Sequence, residues 1–214
     1  MDKYFNSINL LENTLLSYFC DEEPLKLINK LFSKLNYEKY NTHIRPHGIV
    51  ITYYSDIKTM ETKITYKNGK KDGLYEKWNK YEQLCIRQNY KNGKLDGLDE
   101  EWDKYNLLYI RQNHKNGKLD GLYEEWWSED MLAVKCFYCN GKKEGLYESW
   151  NYDGTQNIKC YYKEDKQHGI YQRYNIRLEI ECNFIDGVCH GEFKKWHDSE
   201  HCEIINYING KICK

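Results

Sequence analysis

From about residue 48 onward the chain alternates apolar and polar positions with a period of two. Ile86-Arg87-Gln88-Asn89-Tyr90 and Ile158-Lys159-Cys160-Tyr161-Tyr162 are typical segments. Alternation over five or so residues predicts short strands with one apolar face. Asn-Gly steps interrupt these runs at Asn68-Gly69, Asn92-Gly93, Asn116-Gly117 and Asn140-Gly141. Both residues tolerate positive φ, so Asn-Gly between alternating runs predicts a tight antiparallel hairpin. Before Gly48 the period lengthens to that of a helix. A first helix is predicted after Asn6 or Ser7, with Leu10, Leu11, Leu15, Tyr18 and Phe19 on its apolar face. A second starts at Asp21, carries Glu22-Glu23-Pro24 in its first turn, and presents Leu25, Ile28, Leu31, Phe32 and Leu35. The chain thus divides into residues 1–44, a helical cap or adaptor, and residues 45–214, an array of hairpins.

The array is a repeat. A second glycine follows each turn, at Gly73, Gly97, Gly121, Gly145 and Gly169, each 24 residues after the last. Gly48 and Gly191 flank this series at slightly different spacings, and the first-glycine series runs Gly69, Gly93, Gly117, Gly141, Gly187 and Gly210. Blocks such as YKNGKKDGLYEKW (Tyr66–Trp78) and YKNGKLDGLDEEW (Tyr90–Trp102) recur in register, and Asp165 replaces the first glycine in one weaker copy. The second glycine, preceded by Asp, Glu or His, is expected where the backbone enters the next strand at a close or strained position. One large aromatic per unit, Trp78, Trp102, Trp126, Trp150, Tyr174 and Trp196, is expected to stack along the sheet. A second aromatic series, Tyr75, Tyr123, Tyr147 and Tyr171, follows the second glycine by two residues, and Asp99 interrupts it.

Composition sharpens this picture in three ways. The 21 Tyr and 6 Trp against only 2 Pro favour pleated, half-buried surfaces. The net charge of −1, from 32 basic and 33 acidic residues mixed along the chain, leaves no basic tract for nucleic acid. No apolar run reaches the length of a membrane span, and no secretory leader opens the chain, so reduced cysteines in a cytoplasmic setting are expected.

The candidate chemistry is sparse. Cys136 and Cys139 form a Cys-x-x-Cys, but residues three apart on a strand point to opposite faces and do not chelate one metal. Cys136, Cys160 and Cys182 share one slot of the repeat, about 9.5 Å apart between adjacent hairpins. That is too far for a disulfide ladder, so they are expected as small apolar face residues. Cys189, His190, His197, His201, Cys202 and Cys213 form the one His/Cys-dense patch, and their spacing matches no standard zinc set. Lys70, Lys94, Lys118 and Lys142 predict a basic row along one sheet edge, with Asp72, Asp96, Asp120 and Glu144 beside them neutralising much of its field. Glu76, Glu100, Glu124 and Glu148 recur as one acid per repeat, which is a decorated surface and not a catalytic pair of acids. No catalytic group, no cofactor and no metal is expected.

The string aromatic-x-Asn/Asp-Gly-Lys-x-Asp/His-Gly resembles the MORN repeat in its degenerate second variant, over roughly residues 45 to 214. Typical MORN units carry a further glycine where this chain has Tyr75, Asp99, Tyr123, Tyr147, Tyr171 and Phe193. The variant occurs in bacterial proteins and in large DNA viruses, and the Tyr/Asn-rich copies here resemble the viral ones. The resemblance implies an elongated single-layer antiparallel sheet and a non-enzymatic scaffold for protein contact or assembly, in the host cytoplasm or the virion if viral. It leaves an antitoxin-like inhibitor and a peripheral phospholipid-binding module as alternatives. The expected partner is a protein, or a second copy pairing through the last strand, which the turn at Gly210-Lys211 leaves as an open edge.

Overall fold

A computed structural model of the chain describes residues 47–55, 59–198 and 200–213. They form sixteen strands: β1 (Gly48–Tyr53), β2 (Met60–Lys67), β3 (Lys70–Trp78), β4 (Leu84–Lys91), β5 (Lys94–Trp102), β6 (Leu108–Lys115), β7 (Lys118–Ser128), β8 (Met131–Cys139), β9 (Lys142–Trp150), β10 (Gln156–Lys163), β11 (Lys166–Asn175), β12 (Arg177–Ile185), β13 (Val188–Cys189), β14 (Gly191–Trp196), β15 (Cys202–Ile208) and β16 (Lys211–Ile212). All belong to one antiparallel sheet in which sequence neighbours are spatial neighbours, with β13 continuing into β14 beside β12. The mainly β hairpin array is therefore as expected. Among the described residues there is no helix and no second sheet. The two predicted N-terminal helices lie outside the described residues.

Local backbone chemistry builds each hairpin. Lys67 pairs with Lys70, leaving Asn68 (φ 51) and Gly69 (φ 79) as a two-residue turn. Positive φ at both positions is the mirror-image turn whose twist matches that of the strands it joins. Glu164 (φ 49) and Asp165 (φ 68) adopt the same turn without a glycine.

The second glycine lies at a bulge. Pairing runs Tyr66↔Lys71 and then Ile64↔Tyr75, so the glycine-bearing strand carries two extra residues. Gly73 sits there at φ +114, and a Cβ on it would meet the Thr65 Cβ at 3.1 Å. Gly97 and Gly121 repeat the arrangement against Asn89 and Asn113. The expected close approach is thus a steric requirement of the bulge.

The acid before that glycine ties one hairpin to the next. Asp72 Oδ2 accepts the backbone N–H of Asn92 at 2.9 Å, while Gly93 N–H donates to the Lys71 carbonyl at 2.7 Å. Asp96, Asp120 and Glu144 accept from residues 116, 140 and 164 in the same way. In the last copies a histidine takes the acid's place: His168 Nδ1 faces Asp186 N at 3.4 Å, and His190 Nδ1 faces Asn209 N at 3.5 Å. Each turn is therefore docked on its predecessor, which gives a physical reason for the constant repeat length.

Candidate interaction surface

Strand pairing assigns every repeat position to one of two faces. On the first face a single row crosses eleven strands through directly paired residues: Ile64, Tyr75, Gln88, Asp99, Gln112, Tyr123, Cys136, Tyr147, Cys160, Tyr171 and Cys182. From Tyr123 to Cys182 tyrosine and cysteine alternate strand by strand. Cys136, Cys160 and Cys182 are buried, as expected for small apolar face residues, while Cys139 is exposed on the other side of its strand. Each tyrosine also meets the aromatic of the following turn edge-on: Tyr75–Tyr90 at 6.1 Å, Tyr123–Tyr138 at 5.9 Å, Tyr147–Tyr162 at 5.7 Å, Tyr171–Phe184 at 5.9 Å and Phe193–Tyr207 at 6.1 Å. Edge-to-face pairs at this separation are favourable beyond their burial. Lys71 and Lys143 lie over two rings each and add a cation–π contact. Burial holds the Lys71 ammonium below its ordinary range and pushes the Tyr75 and Tyr90 hydroxyls up.

One joint departs from this chemistry. Between β5 and β6 the tyrosine pair is replaced by Asp99 and His114. Asp99 is 2% exposed, its Oδ2 accepts from Gln112 Nε2 at 3.0 Å and lies 3.7 Å from His114 Nδ1. Neither Asp99 Oδ1 nor His114 Nδ1 has a hydrogen-bond partner. Burial pushes the Asp99 carboxyl up, against the side-chain amides of Gln88 and Gln112 and the nearby imidazole, which pull it down. Asp99 was visible in the sequence only as a gap in the tyrosine series. The signal that could have revealed the pairing is that His114 breaks the aromatic-Lys-Asn-Gly series in the neighbouring slot.

The second face carries a ladder of alternating charge that the repeated glutamates alone did not disclose. Direct pairing links Lys63, Glu76, Arg87, Glu100, Arg111, Glu124, Lys135, Glu148 and Lys159 across nine strands. Arg87 reaches Glu76 at 3.2 Å and Glu100 at 4.0 Å, and Arg111 reaches Glu100 at 3.1 Å. Lys135–Glu124 and Lys159–Glu148 follow at 3.4 and 3.6 Å. Opposite charges on directly paired residues are favourable, so the ladder neutralises itself. The tryptophan row flanks it, with the guanidinium of Arg87 over Trp102 and that of Arg111 over Trp126, each 5.7 Å from the ring centroid. These two tryptophans are thus roofed by arginine, while outside the tyrosine row Trp127 at the end of β7 meets Tyr152 edge-on at 6.4 Å.

The same face changes character toward the C-terminal repeats. Leu74 pairs with Asn89 and Leu98 with Asn113, and both asparagines bond to bulge carbonyls. Farther on, Leu122 pairs with Phe137 and Leu146 with Tyr161. Phe137, Tyr161 and Ile170 are exposed there, as are Ile204 and Ile208 at the last strands. The loop edge adds Tyr81, Tyr105, Trp127, Tyr152 and Ile176, one exposed apolar side chain per hairpin tip. On the opposite edge the turn lysines lay their stems on the next turn: Lys70 Cβ lies 3.6 Å from the Cβ position of Gly93, and Lys94 and Lys118 repeat this at 3.7 Å.

No group of three or more His, Cys, Asp or Glu side chains able to hold a metal ion occurs among the described residues. Among the same residues no helix is long and apolar enough to cross a membrane. Comparison with known proteins adds no name: no protein-family model matches the chain, and no curated protein matches it.

Proposed function

We propose that the chain is a non-enzymatic repeat scaffold whose role is to bind or assemble protein. Within that class we assign it to the MORN repeats of the degenerate second variant, on the recurring aromatic-x-Asn-Gly and Asp-Gly register described above. The observation that carries the functional reading is the asymmetry between the two faces. The tyrosine face is filled by its own rings and thiols, whereas the ladder face exposes Phe137, Tyr161 and Ile170 beside a self-neutralised charge row. Exposed aromatics on a rigid sheet supply contact area at small entropic cost. The last strands are a second proposed contact, where Ile204 and Ile208 are exposed on the ladder face beside the short pairing of β15 with β16. Unpaired strand edges recruit another strand by main-chain hydrogen bonds.

Affinity capture on the intact chain, compared with a Phe137→Ser/Tyr161→Ser variant, tests the face. Loss of a specifically captured protein in the variant is the expected result. Light scattering across a concentration series tests the edge. An Ile204→Lys/Ile208→Lys variant should lower the mass if copies pair there, and a wild-type monomer throughout the series sinks self-association. Flotation with anionic vesicles is the control: salt-sensitive lipid binding with no protein captured overturns the scaffold reading.

A further inference from the structure

The cysteine column of the tyrosine face ends in two cysteines that are diagonal neighbours across one hairpin. Cys189 on β13 pairs directly with Phe184 on β12. Cys182 lies two residues before Phe184 on the same face, which makes it the diagonal neighbour of Cys189. Earlier hairpins place Cys160 beside Gln167 and Cys136 beside Lys143 in the same diagonal slot, and those side chains also interact. The fold therefore brings these positions together in successive copies, and the last copy puts a thiol at both. Cys182 is 4% exposed and Cys189 is half-buried, so oxidants in solution reach Cys189 first.

We propose that Cys189 and Cys182 are a redox pair, in which a hydroperoxide oxidises Cys189 and Cys182 resolves it to a reversible intrachain disulfide. In the first step the Cys189 thiolate attacks the peroxide: an S–O bond forms, the O–O bond breaks, and the departing oxide takes up a proton as water or alcohol. In the second step Cys182 attacks the sulfenic sulfur. The S–S bond forms, the S–O bond breaks, and hydroxide leaves with the Cys182 proton as water. Two thiols have then supplied two electrons to one peroxide.

The division of labour follows from exposure, since Cys182 is buried and Cys189 only half-buried. Burial pushes both thiols up, Cys182 to about 12. Reaction is therefore slow beside that of an exposed thiol, and Cys139, Cys202 and Cys213 serve as internal controls. Diagonal strand neighbours stand about 7–8 Å apart at Cα, beyond the usual disulfide span, so closing the bond requires the β13 backbone to shift toward β12. The bond forms under strain and is correspondingly easy to reduce, which suits a switch better than a permanent staple. Closed, it ties β12 to β13 across the turn at Asp186-Gly187. The pair stands whether or not the scaffold reading does.

The test treats the intact protein with excess hydrogen peroxide, blocks remaining thiols by alkylation, and maps the products by mass spectrometry. Trypsin releases residues 178–194 as one peptide containing both cysteines. The expected product is that peptide lacking two hydrogens and refusing alkylation, restored by a thiol reductant. In Cys182→Ser, Cys189 should accumulate as a sulfenic acid trapped by a 1,3-diketone; in Cys189→Ser, Cys182 should stay reduced. The proposal is overturned if both thiols of the peptide remain alkylatable after Cys139, Cys202 and Cys213 are oxidised. It is equally overturned if Cys189 proceeds to sulfinic acid with Cys182 free, or if either sulfur bonds elsewhere.

Discussion

Asp99→Asn tests the energetics of the odd joint most directly. The substitution keeps the shape of the side chain and removes its charge. Asp99 is 2% exposed, holds one hydrogen bond from Gln112 at 3.0 Å, and leaves Oδ1 unpartnered. A buried polar group left without a partner costs about 1–3 kcal/mol, and more if charged. Burial raises the folded-state pKa of Asp99 above its unfolded value near 3.9. A raised pKa means the folded protein holds the proton more tightly than the unfolded chain. The associated stability is therefore fully present below the unfolded pKa and is lost as pH rises through the folded one. Each unit of the shift corresponds to about 1.4 kcal/mol. The amide introduced by Asp99→Asn has no proton to lose, so the stability of the variant relative to wild type should climb as pH rises above about 4. We expect a total rise of about 1–3 kcal/mol, read from urea unfolding at a series of pH values. A difference that stays flat with pH would refute the reasoning. One that falls with pH would show instead that His114 stabilises the Asp99 anion by more than burial penalises it.

Further predictions concern the elements around that joint. Replacing Asp99 and His114 together by tyrosine should recreate the edge-on pair seen at Tyr75–Tyr90. The double variant should exceed the sum of the singles by about 0.5–1.5 kcal/mol in a double-mutant cycle. Gly97→Ala puts a Cβ at φ +111 and 3.2 Å from Asn89, and should lower stability by about 2–3 kcal/mol. Gly145→Ala, at φ +78 with nothing within 4 Å, should cost only about 1 kcal/mol in the same thermal melt. Asp72→Ala removes the acceptor of the Asn92 turn and should cost about 1 kcal/mol, with faster amide exchange at Asn92 and Gly93. Arg87→Ala removes the cation that contacts Glu76, whose side chain is 11% exposed, while Glu100 keeps Arg111, and should cost about 1–3 kcal/mol in chemical denaturation. By contrast, Lys142→Ala breaks an exposed pair with Glu164 and should stay within about 0.5 kcal/mol.

Much of the fold was legible in the sequence because its causes are local. Asn68-Gly69 dictates a hairpin through backbone torsions alone, and the alternation in Ile86–Tyr90 dictates a strand with two unlike faces. Five glycines from Gly73 to Gly169 at one spacing then fix the array. The pattern also placed the cysteines of the shared slot on a packed face. What it left open depends on which residues face one another across strands, and that is set by register. The bulges at Gly73, Gly97 and Gly121 shift pairing by two residues, so counting along the chain does not reveal that Arg87 meets Glu100 or that Arg111 meets Glu124. Nor does it show that Asp72 serves the turn at Asn92, twenty residues on, rather than the lysines beside it. The sequence by itself determined turns, strands and their repetition, since torsional preference and alternation act over a few residues. Only the tertiary structure decided the partners: the charge ladder, the buried Asp99, the arginines over Trp102 and Trp126, and the diagonal placing of Cys182 beside Cys189. Those contacts arise where separate strands come within side-chain reach, and a bulge of two residues is enough to choose a different partner.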